Sequence, residues 1–167
     1  HIDWIGLMLL LTVRVGWAKP VPVDMRNFRH PKRDMAITAL AGPAANFLLA
    51  TAALGVASLI YHFAPQGTAA AYAIYFFLYM AVLSVGLGIF NLVPIPPLDG
   101  SKILYALLPD RIYYQYLRYE RFFILAVVLL AWMGGFSVPL SFCMEGIVRG
   151  LCAVTAFPFQ LAQYYFF

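Results

Sequence analysis

Asn91-Leu92-Val93-Pro94-Ile95-Pro96-Pro97-Leu98-Asp99-Gly100 is the stretch on which the reading of this chain turns. It follows without a break from an apolar run long enough to cross a bilayer. From Met35 to Leu98 there is no Asp, Glu, Lys or Arg, so Asp99 is the first charge met after two candidate membrane passes. A carboxylate at membrane depth costs about 2.5–3.5 kcal/mol at a helix centre on insertion scales, and such residues mark functional sites. Pro94, Pro96 and Pro97 carry no backbone N–H, and they push Val93 and Ile95 towards extended conformations. Non-helical backbone at that depth persists only where protein buries it or a water-filled cavity meets it. The stretch therefore reads as a polar site carried on a broken segment inside a membrane protein.

Composition agrees. The 167 residues are 63% hydrophobic and 11% charged, with mean hydropathy +0.82; soluble domains carry roughly a quarter charged residues. The pattern predicts an all-α membrane protein, a polytopic bundle of three to four transmembrane helices within a single membrane domain over 1–167. Spans are predicted near 35–61, 71–90 and 122–144, and 150–167 is either a further pass or an interfacial anchor. Asp34 is placed to cap the first span, and Pro43 to kink it or mark its true start. Gly134-Gly135 and Pro139 interrupt the third. Trp4 to Val13 is apolar but short for a crossing and suits a re-entrant or interfacial segment.

Charge fixes the orientation. The net charge is +4, and ten of the eleven Lys and Arg residues lie in two patches, 14–33 and 102–121, separated by two passes. Basic residues beside membrane segments mark the cytoplasmic side, so both patches are predicted to face the cytoplasm. That accounts for the basic excess without a nucleic-acid partner; the partner implied is the lipid bilayer. Cys143 and Cys152 form no CxxC and no disulfide framework, and read as small buried apolar residues.

Few residues can carry chemistry. Asp99 is either an N-cap or turn residue for a helix starting at Gly100 or Ser101, or a metal-ligand carboxylate. A catalytic zinc takes three protein ligands and keeps an open position. His1, His30 and His62 are far apart and none begins an H-E-x-x-H, the spacing that puts two imidazoles on one helix face around a general base. His30 and His62 read as solvated helix-edge residues. Asn46 and Asn91 are amides in apolar surroundings. Each either bonds a neighbouring helix or aims at a substrate carbonyl, where it stabilises developing negative charge.

Taken together, these segments resemble the site-2 protease family of intramembrane zinc metalloproteases, in particular its compact bacterial branch without a PDZ domain. The resemblance rests on Asn91–Gly100, on Gly42-Pro43-Ala44-Ala45-Asn46, on His1-Ile2-Asp3-Trp4-Ile5-Gly6, and on Gly16-Trp17-Ala18-Lys19-Pro20-Val21-Pro22-Val23. It covers the chain to about Pro109. It implies that Asp99 is the third zinc ligand and that Asn91 steadies the substrate carbonyl or oxyanion. Asn46 then shapes the core beside the site, and Pro94 and Pro96 line the route of an unwound substrate helix. The implied activity is hydrolysis of peptide bonds in membrane-spanning substrates, in a multi-pass protein of a bacterial plasma membrane.

One departure is serious: H-E-x-x-H is absent, and in the family it lies upstream of the stretch matching His1. The expectation is an N-terminally truncated piece, the C-terminal portion of a larger peptidase domain. It carries one of three zinc ligands and no general base, holds zinc weakly, and cleaves nothing alone. Two other classes remain open on the residues themselves. An ion-coupled transporter or channel also suits a carboxylate on a broken helix, although no inverted repeat is present. A non-catalytic membrane scaffold is the other.

Overall fold

A computed structural model describes residues 28–65, 67–96, 98–135 and 137–166. The segments quoted between His1 and Val23, and the short apolar run within them, lie outside the described residues. So does most of the first basic patch. From Lys32 onward the chain forms one compact unit. Among the described residues there are seven helices and no strand. They are α1 (Pro31–Phe63), α2 (Thr68–Leu92), α3 (Asp99–Leu107), α4 (Asp110–Arg118), α5 (Glu120–Trp132), α6 (Ser137–Thr155) and α7 (Phe159–Phe166).

The protein is an all-α membrane protein, and two helices, α1 and α2, are long and apolar enough to cross a bilayer. Helix α1 starts at Pro31, three residues before Asp34, so Asp34 lies inside the first turn rather than at the cap. Proline is favoured there because the first N–H of a helix has no partner to lose. Pro43 neither starts nor ends the helix. It is carried inside α1 with its ring fully buried.

The core repeats one spacing on two helices. Ala50, Ala53, Leu54 and Ala57 of α1, and Leu78, Ala81, Val82 and Val85 of α2, are buried at i, i+3, i+4, i+7, one face of a 3.6-residue helix. Val148 and Cys152 of α6, Phe157, and Ala162 of α7 complete the cluster. Among the described residues, helices α2 and α6 share the most extensive contact of any helix pair. Gly86 of α2 faces Met144 of α6 there, at a distance where a Cβ would be in ordinary contact with the Met144 methyl group, 3.4 Å away. Small residues are favoured between membrane helices, where backbones must come near for dispersion to act.

The chain beyond residue 120 breaks twice. Gly134 has φ 72, and the Gly135 N–H bonds the Leu130 carbonyl at 2.7 Å. That is the left-handed helix stop which glycine takes at no steric cost. The interval 122–144 thus holds α5, a turn, and the start of α6. Pro139 lies in the first turn of α6, where no N–H is needed. The second break uses Ala156 at φ 54, with the Phe157 N–H bonding the Cys152 carbonyl at 3.0 Å. The interval 150–167 is therefore the end of α6 followed by α7. Eight residues of helix rise about 12 Å, well short of a hydrocarbon core. Glu145 and Arg149 sit mid-α6 as an i, i+4 ion pair of 3.1 Å.

Candidate functional site

Helix α2 runs two residues further than its apolar pattern suggests, so Asn91 occupies its last helical turn, half-buried, rather than opening the loop. The chain then turns through Val93–Leu98. The Ile95 N–H bonds the Val93 carbonyl at 2.8 Å, and the Leu98 N–H bonds the Ile95 carbonyl at 2.8 Å. Pro96 is fully buried and anchors the loop from inside, whereas Pro94 is exposed. The Pro94 carbonyl accepts a hydrogen bond from the Tyr116 hydroxyl of α4. Pro97 lies outside the described residues.

Asp99 is the first residue of α3, and the N-cap is Leu98, which offers no side-chain cap. The capping alternative for Asp99 is thereby overturned. The Ser101 hydroxyl bonds the Leu98 carbonyl at 2.7 Å instead. Gly100 explains the Asp-Gly pair. A Cβ at this position would overlap the carbonyl oxygens of Leu92 and Val93, so the loop closes back on the end of α2 only with glycine there. Carbonyls at the end of one helix thus meet the start of another, an arrangement the helix dipoles favour.

The Asp99 carboxylate is 31% exposed and has two different neighbours. Oδ1 takes the Lys102 ammonium at 2.8 Å. Oδ2 faces α1 at Gly42, where a Cβ would stand 3.3 Å away. At the other end of α3, Lys32 Nζ donates to the Leu108 carbonyl at 3.2 Å and lies 5.4 Å over the Tyr105 ring. Gly42 and Lys32 are ten residues apart on α1, and Asp99 and Leu108 nine apart in the opposite sense. At 1.5 Å per residue these spans are about 15 and 14 Å. Helix α3 therefore meets α1 at its two ends in opposite sense, Asp99 near Gly42 and Leu108 near Lys32.

One turn beyond Gly42, Asn46 and Phe47 reach α2. At Gly88 a Cβ would stand 3.4 Å from the Asn46 Cβ and 3.0 Å from the Phe47 ring. Asn91 follows Gly88 by three residues on the same face of α2. The structure thus brings Asp99 to α1 at Gly42 and Asn46 to α2 at Gly88, while Pro94 is turned towards α4. Sequence reasoning missed Lys32, Lys102, Tyr105 and Tyr116. Only the i, i+3 spacing of Asp99 and Lys102 could have signalled one of them. An apolar cavity of ≈ 260 Å³ opens beside the loop between α2 and α6, lined by Ile89, Phe90, Val93, Pro139, Leu140 and Cys143. Cys143 is exposed, contrary to the expectation of burial, and Cys152 is buried.

His30 and His62 are both exposed, and a ring nitrogen of His62 bonds the Ser58 carbonyl at 2.9 Å. Among the described residues no three His, Cys, Asp or Glu side chains gather to hold a metal. The donor set consequently fits one corner of a zinc site, a carboxylate oxygen facing a side-chain-free patch of helix, and not the whole of it.

Comparison with known proteins adds three findings. The Peptidase family M50 profile matches residues 55–134, which include the whole Asn91–Gly100 stretch. The chain is 35% identical over 111 residues to "Putative zinc metalloprotease YwhC" of Bacillus subtilis (strain 168), across 65% of this chain and 51% of that protein. A segment of 25 residues is 76% identical to "Putative zinc metalloprotease SPs1691" of Streptococcus pyogenes serotype M3, covering 15% of this chain and 6% of that protein. The chain thus spans about half the length of YwhC and a small fraction of SPs1691. No solved structure matches the chain significantly.

Proposed function

We propose that this chain, which matches the Peptidase family M50 profile over residues 55–134 and resembles a zinc metalloprotease over 65% of its length, forms the C-terminal part of an intramembrane zinc endopeptidase of the site-2 protease type acting on membrane-spanning substrates. Asp99 supplies the third zinc ligand, and the two imidazoles and the general base come from an H-E-x-x-H outside these 167 residues. When bound, zinc supplies the Lewis acidity that makes water nucleophilic and polarises the scissile carbonyl. The other residues of the site position and exclude. Asn91, at the end of α2, offers its amide to the substrate carbonyl, where a preorganised donor is most effective against developing charge. Asn46 holds the α1–α2 contact beside it. The loop at Pro94 and Pro96, with the apolar cavity at Val93, lines the path of an unwound substrate segment. Alone, the 167 residues hold zinc weakly and cleave nothing.

The observation that carries this reading is the Asp99 carboxylate set against α1, a helix long and apolar enough to cross a bilayer, at Gly42 instead of capping α3. Its test uses the complete protein in lipid vesicles with a single-span substrate. Asp99→Asn should lower zinc content and reduce cleavage by at least about 100-fold while the protein remains inserted. Asn91→Ala should reduce cleavage by about 100-fold with zinc content unchanged. Full activity in Asp99→Asn removes Asp99 from the mechanism. Absence of zinc-dependent cleavage in the wild-type protein favours the scaffold or transporter.

A further inference from the structure

Helix α4 is short and strongly amphipathic, and it makes one contact that its own stability does not need. Tyr116 sends its hydroxyl to the carbonyl of Pro94, 22 residues earlier in the chain. Among the described residues, the rest of the loop Val93–Leu98 is held by the Val93 N–H on the Phe90 carbonyl, by the Ile95 and Leu98 N–H groups on the carbonyls of Val93 and Ile95, by Ser101 on the Leu98 carbonyl, and by the burial of Pro96; none of these bonds engages the Pro94 carbonyl. Pro94 stands at the exposed end, where nothing buried anchors it.

The Tyr116 side is the firmer of the two. Its ring packs against Phe123 of α5 with centroids 4.9 Å apart. The backbone is continuous across the junction, because the Tyr119 N–H bonds the Tyr116 carbonyl and the Phe122 and Phe123 N–H groups both bond the Tyr119 carbonyl. Burial raises the Tyr116 phenol above its ordinary range, so at neutral pH it is a hydrogen-bond donor. A ring packed on α5 thus reaches out to the exposed Pro94 end of a loop whose other end is anchored by Pro96 and Gly100. The residue before the tethered carbonyl, Val93, forms part of the wall of the apolar cavity between α2 and α6. Holding Pro94 therefore holds that wall.

We propose that α4 is a strap and that Tyr116 is the positioning residue through which it fixes the proline loop, so that Tyr116 sets how tightly the parent protein binds its substrate segment. The substrate half of this rests on the protease reading above; the strap itself does not. Tyr116→Phe removes the hydroxyl and keeps the contact with Phe123.

The experiment uses the complete protein in lipid vesicles, with Tyr119→Phe, an exposed tyrosine one turn away, as control. Hydrogen exchange at the Ile95 and Leu98 amides should quicken about three- to tenfold in Tyr116→Phe, the range expected for one lost hydrogen bond, and stay unchanged in Tyr119→Phe. KM for a single-span substrate should rise by the same factor, with kcat within about twofold of wild type and zinc content unaltered. Unchanged exchange overturns the strap. Quickened exchange with KM unmoved overturns the positioning role and leaves a structural bond. If the wild-type protein cleaves nothing, the substrate half falls with the protease reading, while exchange still decides the strap.

Discussion

Between Ala50 and Ala57, helix α1 joins the core through three alanines and Leu54, all buried and all apolar. Between Lys32 and Asn46 the same helix buries Met35, Ala39 and Pro43 and adds polar and glycine contacts to them: Lys32 on Leu108, Gly42 on Asp99, Asn46 on Gly88. The first region is redundant. Its contacts are many, weak and alike, so losing one leaves a void and little else. The second adds point contacts, each with one geometry, and those of Gly42 and Asn46 lie beside the residues that flank the proline loop. On the function proposed above, stability and activity should accordingly be separable along one helix, with the charge-bearing end positioning the site and the apolar end holding the core.

Substitutions in the two regions should therefore fail differently. Gly100→Ala has the largest expected effect. The new Cβ overlaps the Leu92 and Val93 carbonyl oxygens, which no side-chain movement relieves, so the backbone must shift at a cost of about 3 kcal/mol. In the complete protein, zinc content and cleavage should both collapse. A variant with normal zinc content would show that the loop does not close against α2 as described. Leu54→Ala should lower stability by about 2 kcal/mol, towards the low end because in lipid only packing is lost. Cleavage per folded molecule should stay as in the wild type. Parallel measurement of detergent unfolding and specific activity separates these two outcomes. The smallest effect is expected at Ala156→Gly, which relieves a left-handed alanine at φ 54 and should raise stability by about 1 kcal/mol without touching activity.

Much of the core was legible in the sequence. The charge-free run from Met35 to Leu98 announced both long helices, and Gly134-Gly135 announced the break that separates α5 from α6. These features are local: hydropathy and backbone preference act within a few residues. The Asp99-Gly100 pair was only half legible. Its glycine is explained by carbonyls that arrive from the end of α2, and its carboxylate by a partner on α1, so both causes are distant in the chain. Lys32 and Tyr116 were not legible, because each acts on a backbone carbonyl that carries no sequence signature. Helix starts were displaced where proline at the first position allowed α1 to begin before Asp34. The second stop went unseen because Ala156 occupies a position that glycine usually marks.

The apposition of Asp99 to α1 at Gly42 is tested most directly by cross-linking. In the complete protein carrying Gly42→Cys and Asp99→Cys, the one described atom from another element within 4 Å of the new Cβ at position 42, Asp99 Oδ2, is itself removed, so the new Cβ clashes with no described atom of another element. A short bifunctional thiol reagent should join the two in high yield in native membranes. It should not join Gly55→Cys to Asp99→Cys, since residue 55 lies more than three turns further along α1. Efficient linkage of 42 to 99 alone is the predicted result. Linkage of neither pair, or equal linkage of both, contradicts a carboxylate held against this helix, and with it the site.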